Sequence, residues 1–168
     1  MELAILNDIQ NSKNKVQKNL NDVYSKLLPT DNEKAVNYSE WLKDKTEMRV
    51  NHSINKPFPI IRKGVYYVNF GRNIGSEQEK DRPAVIIWTQ YKAPIALVVP
   101  ISDEYKNSSF WFHVHLSSVD TALVEQMRVI SKARIRVPIR TKGQIRMLLP
   151  EELIQINEAI DKLKFDIE

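Results

Sequence analysis

The chain contains no cysteine. That excludes disulfides and thiolate metal sites and makes the reducing cytoplasm the natural setting. No apolar run approaches a membrane span, and Met1-Glu2-Leu3 opens no secretory signal, so no membrane partner is expected. Internal repeats and low-complexity tracts are absent as well. What remains is globular in composition: 168 residues, 42% hydrophobic and 27% charged. That length serves one core with room for an appendage. A net charge of +4 and a pI of about 9.2 lean toward a polyanionic partner.

Acids are also missing from one long stretch. Between Met127 and Pro150 lie Arg128, Lys132, Arg134, Arg136, Arg140, Lys142 and Arg146, with no Asp or Glu among them. A solvated face usually mixes signs, so the run reads either as a nucleic-acid surface or as a plain solvated loop.

Periodicity divides the chain. Leu6, Ile9, Val16, Leu20, Val23 and Leu27 follow three–four spacing, interrupted by Lys13, and predict a helix over about Glu2 to Leu28 with a near-heptad seam. Leu28-Pro29-Thr30-Asp31 ends it, and Thr30 or Asp31 can cap a second helix running to about Arg49. The two are expected to form a hairpin that needs a further surface to cover its seam. Asn51 to Lys56, with Pro57 and Pro59, reads as a linker, which sets a boundary between residues 1–56 and 57–168.

From Lys63 the grain changes to strands: Val65–Phe70, Ala84–Thr89, Ile95–Ile101, Phe110–Leu116 and Ala122–Ile130. No helix separates them, which predicts an antiparallel sheet or small barrel. A final helix starts at Pro150, with Glu151 and Glu152 at its positive end and Leu153, Ile156, Ile160 and Leu163 as its buried stripe.

One stretch organises the rest. Gly75-Ser76-Glu77-Gln78-Glu79-Lys80-Asp81-Arg82-Pro83 joins a polar loop to the apolar run Ala84–Ile87. Mobile polar groups at the end of a buried element are how a site sits on a scaffold. Pro83 pushes Arg82 toward an extended backbone, and a stiff arginine can aim its fork at a phosphate. Strand alternation puts Phe110, Phe112, Val114 and Leu116 into the core and Trp111, His113 and His115 on the other face. That second row either stacks nucleobases or packs beneath the amino-terminal helices. Glu125 falls among apolar neighbours and needs a partner, for which Arg82 or Arg128 would serve. With two histidines on one strand and only His52 elsewhere, a metal site is not expected.

In this order, Lys63-Gly64-Val65-Tyr66-Tyr67-Val68-Asn69-Phe70, Gly75-Ser76-Glu77-Gln78 and Arg82-Pro83-Ala84-Val85-Ile86-Ile87 resemble the opening of the MazF/PemK family of toxin ribonucleases. Val98-Val99-Pro100-Ile101-Ser102, Glu125-Gln126-Met127-Arg128-Val129-Ile130, Lys142-Gly143 and Pro150-Glu151-Glu152-Leu153 continue the resemblance, which spans about residues 62 to 164. It implies a small SH3-like antiparallel barrel with a carboxy-terminal helix, a homodimer and a cognate antitoxin. It also implies cleavage of single-stranded RNA by ribose 2′-hydroxyl attack without metal or cofactor, leaving 2′,3′-cyclic phosphate and 5′-hydroxyl ends. Arg82 resembles the family's catalytic arginine, and Ser102 stands where a threonine or serine hydroxyl binds the scissile phosphate. Glu77 and Glu125 fall on positions where acids serve in different members, and either would take the 2′-hydroxyl proton. Ser76, Gln78, Gln126 and Arg128 are implied as RNA binders, together with Trp111 and His113 near the RNA path. The fold is also similar to CcdB-type toxins, which bind DNA gyrase without nuclease activity and depend on a terminal Trp-Gly-Ile. This chain ends Lys164-Phe165-Asp166-Ile167-Glu168. An RNA-binding module without catalysis is the remaining reading, and the retained Arg82 and Ser102 weigh against it.

Overall fold

The computed structural model describes residues 2–26, 32–51, 55–117 and 120–163. The predicted stop and caps at 28–31, residues 52–54 of the linker, and the terminal residues 164–168 lie outside these. Two compact units are present, Met1–Asp44 and Lys45–Glu168.

In the first unit, α1 spans Glu2–Tyr24, and α2, Asn32–Val50, runs across the unit boundary. Both predicted helices are therefore present. Gln10–Asn14 and Gln17–Asn21 side-chain bonds, four residues apart, brace the polar face of α1. Its seam is exposed, with Leu6 at 59% and Val16 at 55%.

The second unit is mostly antiparallel sheet. Its strands are β1 Val65–Asn69, β2 Asp81–Thr89, β3 Ile95–Ser102, β4 His113–His115, β5 Thr121–Leu123, β6 Arg128–Ser131 and β7 Ile135–Pro138. A separate ribbon joins β8, Arg140–Thr141, to β9, Gln144–Ile145. At its tip Lys142 and Gly143 both take positive φ, 51° and 81°, as a two-residue hairpin turn requires. The large sheet runs β4-β5-β3-β2-β1-β7. One edge of β3 is split: Ile95–Val98 pairs with β6, and Ile101–Ser102 pairs with β5. Among the described residues no ladder joins β6 to β7. A 3-10 turn, Lys132–Arg134, capped by the Ser131 hydroxyl, leads from β6 to β7. The antiparallel sheet expected from the strand pattern is therefore present, and its order is consistent with a small barrel.

Alternation explains the core. Val65, Val85, Val99 and Ile101 join one cluster, to which helix α3, Pro150–Lys162, contributes Ile156 and Ala159. Tyr66, Val68, Ala84, Ile86 and Val98 join a second cluster. Both faces of the central strands are buried, so β2 reads as a nearly continuous apolar run. The Tyr66 hydroxyl donates to the Pro59 carbonyl at 2.8 Å and accepts from the Ile61 amide at 3.0 Å, pinning the lead-in to β1.

Three expectations are corrected. Strand β2 begins at Asp81, so Arg82 and Pro83 belong to the strand, not to the loop before it. Of the predicted strand Phe110–Leu116 only His113–His115 is extended. Alternation fails across the preceding turn: Phe110 is 60% exposed and stacks on Phe112 at 5.1 Å, whereas His113 is buried. Val114 and Leu116 are buried as expected. The predicted strand Ala122–Ile130 is broken by a 3-10 turn, Val124–Gln126, which carries the chain from β5 to β6 and resets the faces. Strands β7 to β9 lie inside the basic run, where alternating cations hid the extended pattern.

The last helix is fastened by a buried carboxylate. Glu152 accepts from the Leu149 amide at 2.7 Å, the Ser117 amide at 2.8 Å and the Ser117 hydroxyl at 2.8 Å. Burial alone would raise its pKa. The Ser117 and Leu149 bonds, with the nearby Arg146 charge, outweigh burial and hold it below the ordinary 4.5. A lowered folded-state pKa contributes stability above the unfolded value, lost as pH falls through the folded one. Glu152→Gln is expected to cost about 1–3 kcal/mol at pH 7 in urea unfolding. The gap to the parent should narrow below about pH 4, and a constant gap across that window would count against this account.

Candidate functional site

The loop between β1 and β2, residues 71–80, is tied down at several points. The Phe70 amide donates to the Lys80 carbonyl at 2.8 Å, and the Lys80 amide to the Gly71 carbonyl at 2.6 Å. Asn73 Nδ2 donates to the Gln78 carbonyl at 2.6 Å. Gly75 turns the loop at φ +62°. From the far side, Gln126 grips it with both ends of its amide: Oε1 accepts from the Gln78 amide at 2.6 Å, and Nε2 donates to the Ser76 carbonyl at 3.2 Å. The 3-10 turn after β5 therefore positions the loop after β1.

Between these elements lies an open groove of about 440 Å³, lined by Ser76, Glu77, Glu125, Gln126, Met127 and Arg128. Glu77 is exposed, and Gln78 is buried beneath the loop. Glu125 Oε1 lies 3.2 Å from His113 Nε2. The His113 ring is fixed in turn by the Ser108 hydroxyl at its Nδ1, 2.6 Å away, and by the edge contacts of Tyr105, Phe110 and Phe112. The carboxylate partner expected to be Arg82 or Arg128 is thus His113. Arg128 instead folds back, donating to the Phe70 carbonyl at 3.1 Å with its guanidinium 5.1 Å from the Phe70 ring centre. Trp111 stands on the exposed turn with its ring 5.4 Å from Phe112.

Arg82 and Ser102 form a second group. The register pairs Ala84 with Pro100, so Arg82 and Ser102 each stand two residues further on, at the same end of β2 and β3. Arg82 Nε donates to the Glu79 carbonyl at 3.1 Å, and Nη2 lies 3.5 Å from Glu104 Oε1. Ser102 is 4% exposed, and its hydroxyl oxygen accepts from the Glu104 amide at 3.3 Å. The loop 71–80 touches both groups, through Gln78 to Gln126 and through Glu79 to Arg82.

Sequence reasoning missed Glu104 and Ser108. Glu104 had a local signal: a serine whose hydroxyl accepts from the amide two residues on is a common turn device. Ser108 had none, since its partner is set by how the turn folds. The basic run is also redrawn. Lys132 is buried and donates to the Gln90 carbonyl at 2.9 Å, and Arg134 to the Asn69 carbonyl at 3.0 Å. Arg140 donates to the Gly143 carbonyl at 2.8 Å. Arg136 pairs with Asp81 at 3.6 Å and Arg146 with Asp120 at 2.9 Å. Much of this run is thus engaged with the fold, while Arg140 and Lys142 stay exposed. Burial, then the neighbouring Arg128, holds the Arg134 guanidinium below its usual pKa.

The second unit is a small, mostly antiparallel sheet with a helix after its last strand, and Arg82 and Ser102 stand at the same end of two adjacent strands. Residues 61–163 match the family described as PemK-like, MazF-like toxin of type II toxin–antitoxin system, and the chain belongs to that family. The crystal structure of MazF (Form-I) from Deinococcus radiodurans is similar, with a TM-score of 0.52 and 16% identity over 63% of this chain and 96% of that one. The structure of MazE–MazF (Form-II) from the same organism aligns over the same shares, at 16% identity and a TM-score of 0.49. No curated protein matches the sequence.

The Gln126 clamp is testable by itself. In Gln126→Ala the buried Gln78 amide loses its acceptor, at an expected cost of about 1–2 kcal/mol. Amide exchange at Gln78 should accelerate, and unchanged protection there would show that the clamp does not hold the loop.

Proposed function

We propose that this chain is a toxin endoribonuclease cutting single-stranded RNA at a short motif, by attack of a ribose 2′-hydroxyl on its own phosphate. One observation carries the reading: Arg82 and Ser102 lie at one end of adjacent strands, and the loop that holds Arg82 also borders a groove lined by Glu77 and Glu125. In-line attack builds negative charge on the phosphorane. A fixed guanidinium answers that charge and stays protonated throughout. The Ser102 hydroxyl accepts from a backbone amide, which leaves its own proton for a phosphate oxygen. Glu125, aimed by a histidine that is itself locked, is the better-held acid to take the 2′-hydroxyl proton, and Glu77 is the exposed alternative. The P–O5′ bond breaks as the P–O2′ bond forms, and the leaving 5′-oxygen takes a proton from water, so the products are a 2′,3′-cyclic phosphate and a 5′-hydroxyl and no metal enters the scheme.

The RNA path runs by Ser76, Gln126 and Arg128 in the groove, with Gln78 supporting the loop from below and His113 supporting Glu125. Trp111 offers a ring for base stacking. The chain acts as a homodimer in the cytoplasm, and a cognate antitoxin silences it by covering the groove with an extended or helical segment. Residues 1–56 serve assembly or partner capture, and residues 57–168 carry the chemistry.

Incubation with a long single-stranded RNA in EDTA, followed by end mapping, is expected to give discrete cuts with cyclic phosphate and 5′-hydroxyl ends. Arg82→Ala should lose at least about 100-fold in rate with the fold intact, and Glu125→Gln about as much. Normal cleavage by Arg82→Ala would refute the site, and intact RNA with the parent protein would make the chain a binding module. Residues 57–168 alone are expected to retain cleavage. Complete loss in a folded, dimeric remainder would give the helices a part in the chemistry.

A further inference from the structure

Glu104 touches both groups assigned above to the scissile phosphate. Its carboxylate faces Arg82 Nη2 at 3.5 Å, and its backbone amide donates to the Ser102 hydroxyl oxygen at 3.3 Å. We infer that Glu104 is a built-in phosphate mimic, a latch whose carboxylate holds the place of an incoming phosphate oxygen on Arg82 until a ligand phosphate displaces it. The inference rests on the proposed ribonuclease site and adds a residue that no family motif quoted above includes.

The geometry separates the two halves of this residue. Arg82 is anchored through Nε to the Glu79 carbonyl, so the Nη2 corner is the part offered outward, and a carboxylate oxygen there occupies a position that a phosphate oxygen would take. The Glu104 side chain is 60% exposed, against 23% for Arg82. The anion is therefore the accessible, movable partner, and the cation is the fixed one. Exposed pairs of this length hold weakly, so a phosphate displaces the carboxylate at little cost. The amide half stays when the carboxylate leaves, so the Ser102 hydroxyl remains oriented with its proton free. Glu125 takes no part, since its carboxylate is engaged by His113.

The test uses the full-length chain and inorganic phosphate, read by the NMR shift of the Arg82 Nε–H. Glu104→Gln should bind phosphate at Arg82 about two- to fivefold more tightly than the parent. Asp103→Asn removes the same charge one residue away and should leave that affinity unchanged. Equal or weaker binding in Glu104→Gln would make Glu104 a positioning residue for Arg82 and overturn the latch. A gain of the same size in Asp103→Asn would reduce the effect to net charge and overturn it too. The ribonuclease reading fails separately, if the parent protein leaves RNA intact, because the phosphate titration involves no cleavage.

Discussion

Strand β3 is hydrogen-bonded along both edges, to β2 on one side and to β6 and β5 in turn on the other. Side chains along a strand alternate with a period of two, so a one-residue slip would exchange its faces. Val99 and Ile101 would leave the cluster under α3, and Ala96 and Val98 would leave the other. Two buried faces thus oppose any slip. The same register brings Ser102 and Arg82 to one end of the sheet, so the placement of the site follows from the packing of the core.

Around that end, polar groups are fixed by other polar groups at long sequence separation. Gln126 holds the loop 71–80 from 48 residues away. Ser108 and three aromatic edges hold His113, and His113 meets Glu125. The turn from Asp103 to Phe112 supplies Glu104 to one group and Tyr105, Ser108 and Phe110 to the other. Polar groups held this way keep their positions without help from a ligand.

Strong periodicity made much of this legible in advance. The stripe of α1 and the apolar runs of β1 to β3 were readable because each repeats one rule over a whole element, and the proline that opens α3 marks its start. Phe110 and Glu125 were misplaced because alternation was extended across turns, where it has no meaning. The candidate residues stood out as motifs, but their partners in the structure did not. Glu125 with His113 is a pairing across 12 positions and Arg82 with Glu104 across 22. Topology, not local pattern, brings such residues together.

The partly engaged basic stretch bears on how a polyanion would meet this surface. Lys132, Arg134 and Arg140 spend donors on main-chain oxygens, and Arg136 and Arg146 sit against carboxylates. Cations already neutralised or sunk into the fold displace few condensed ions from a nucleic-acid strand. The formal charge of the stretch therefore overstates its contribution to the ionic-strength dependence of association. A polyanion meeting this surface would find a few aimed contacts more than a diffuse positive field.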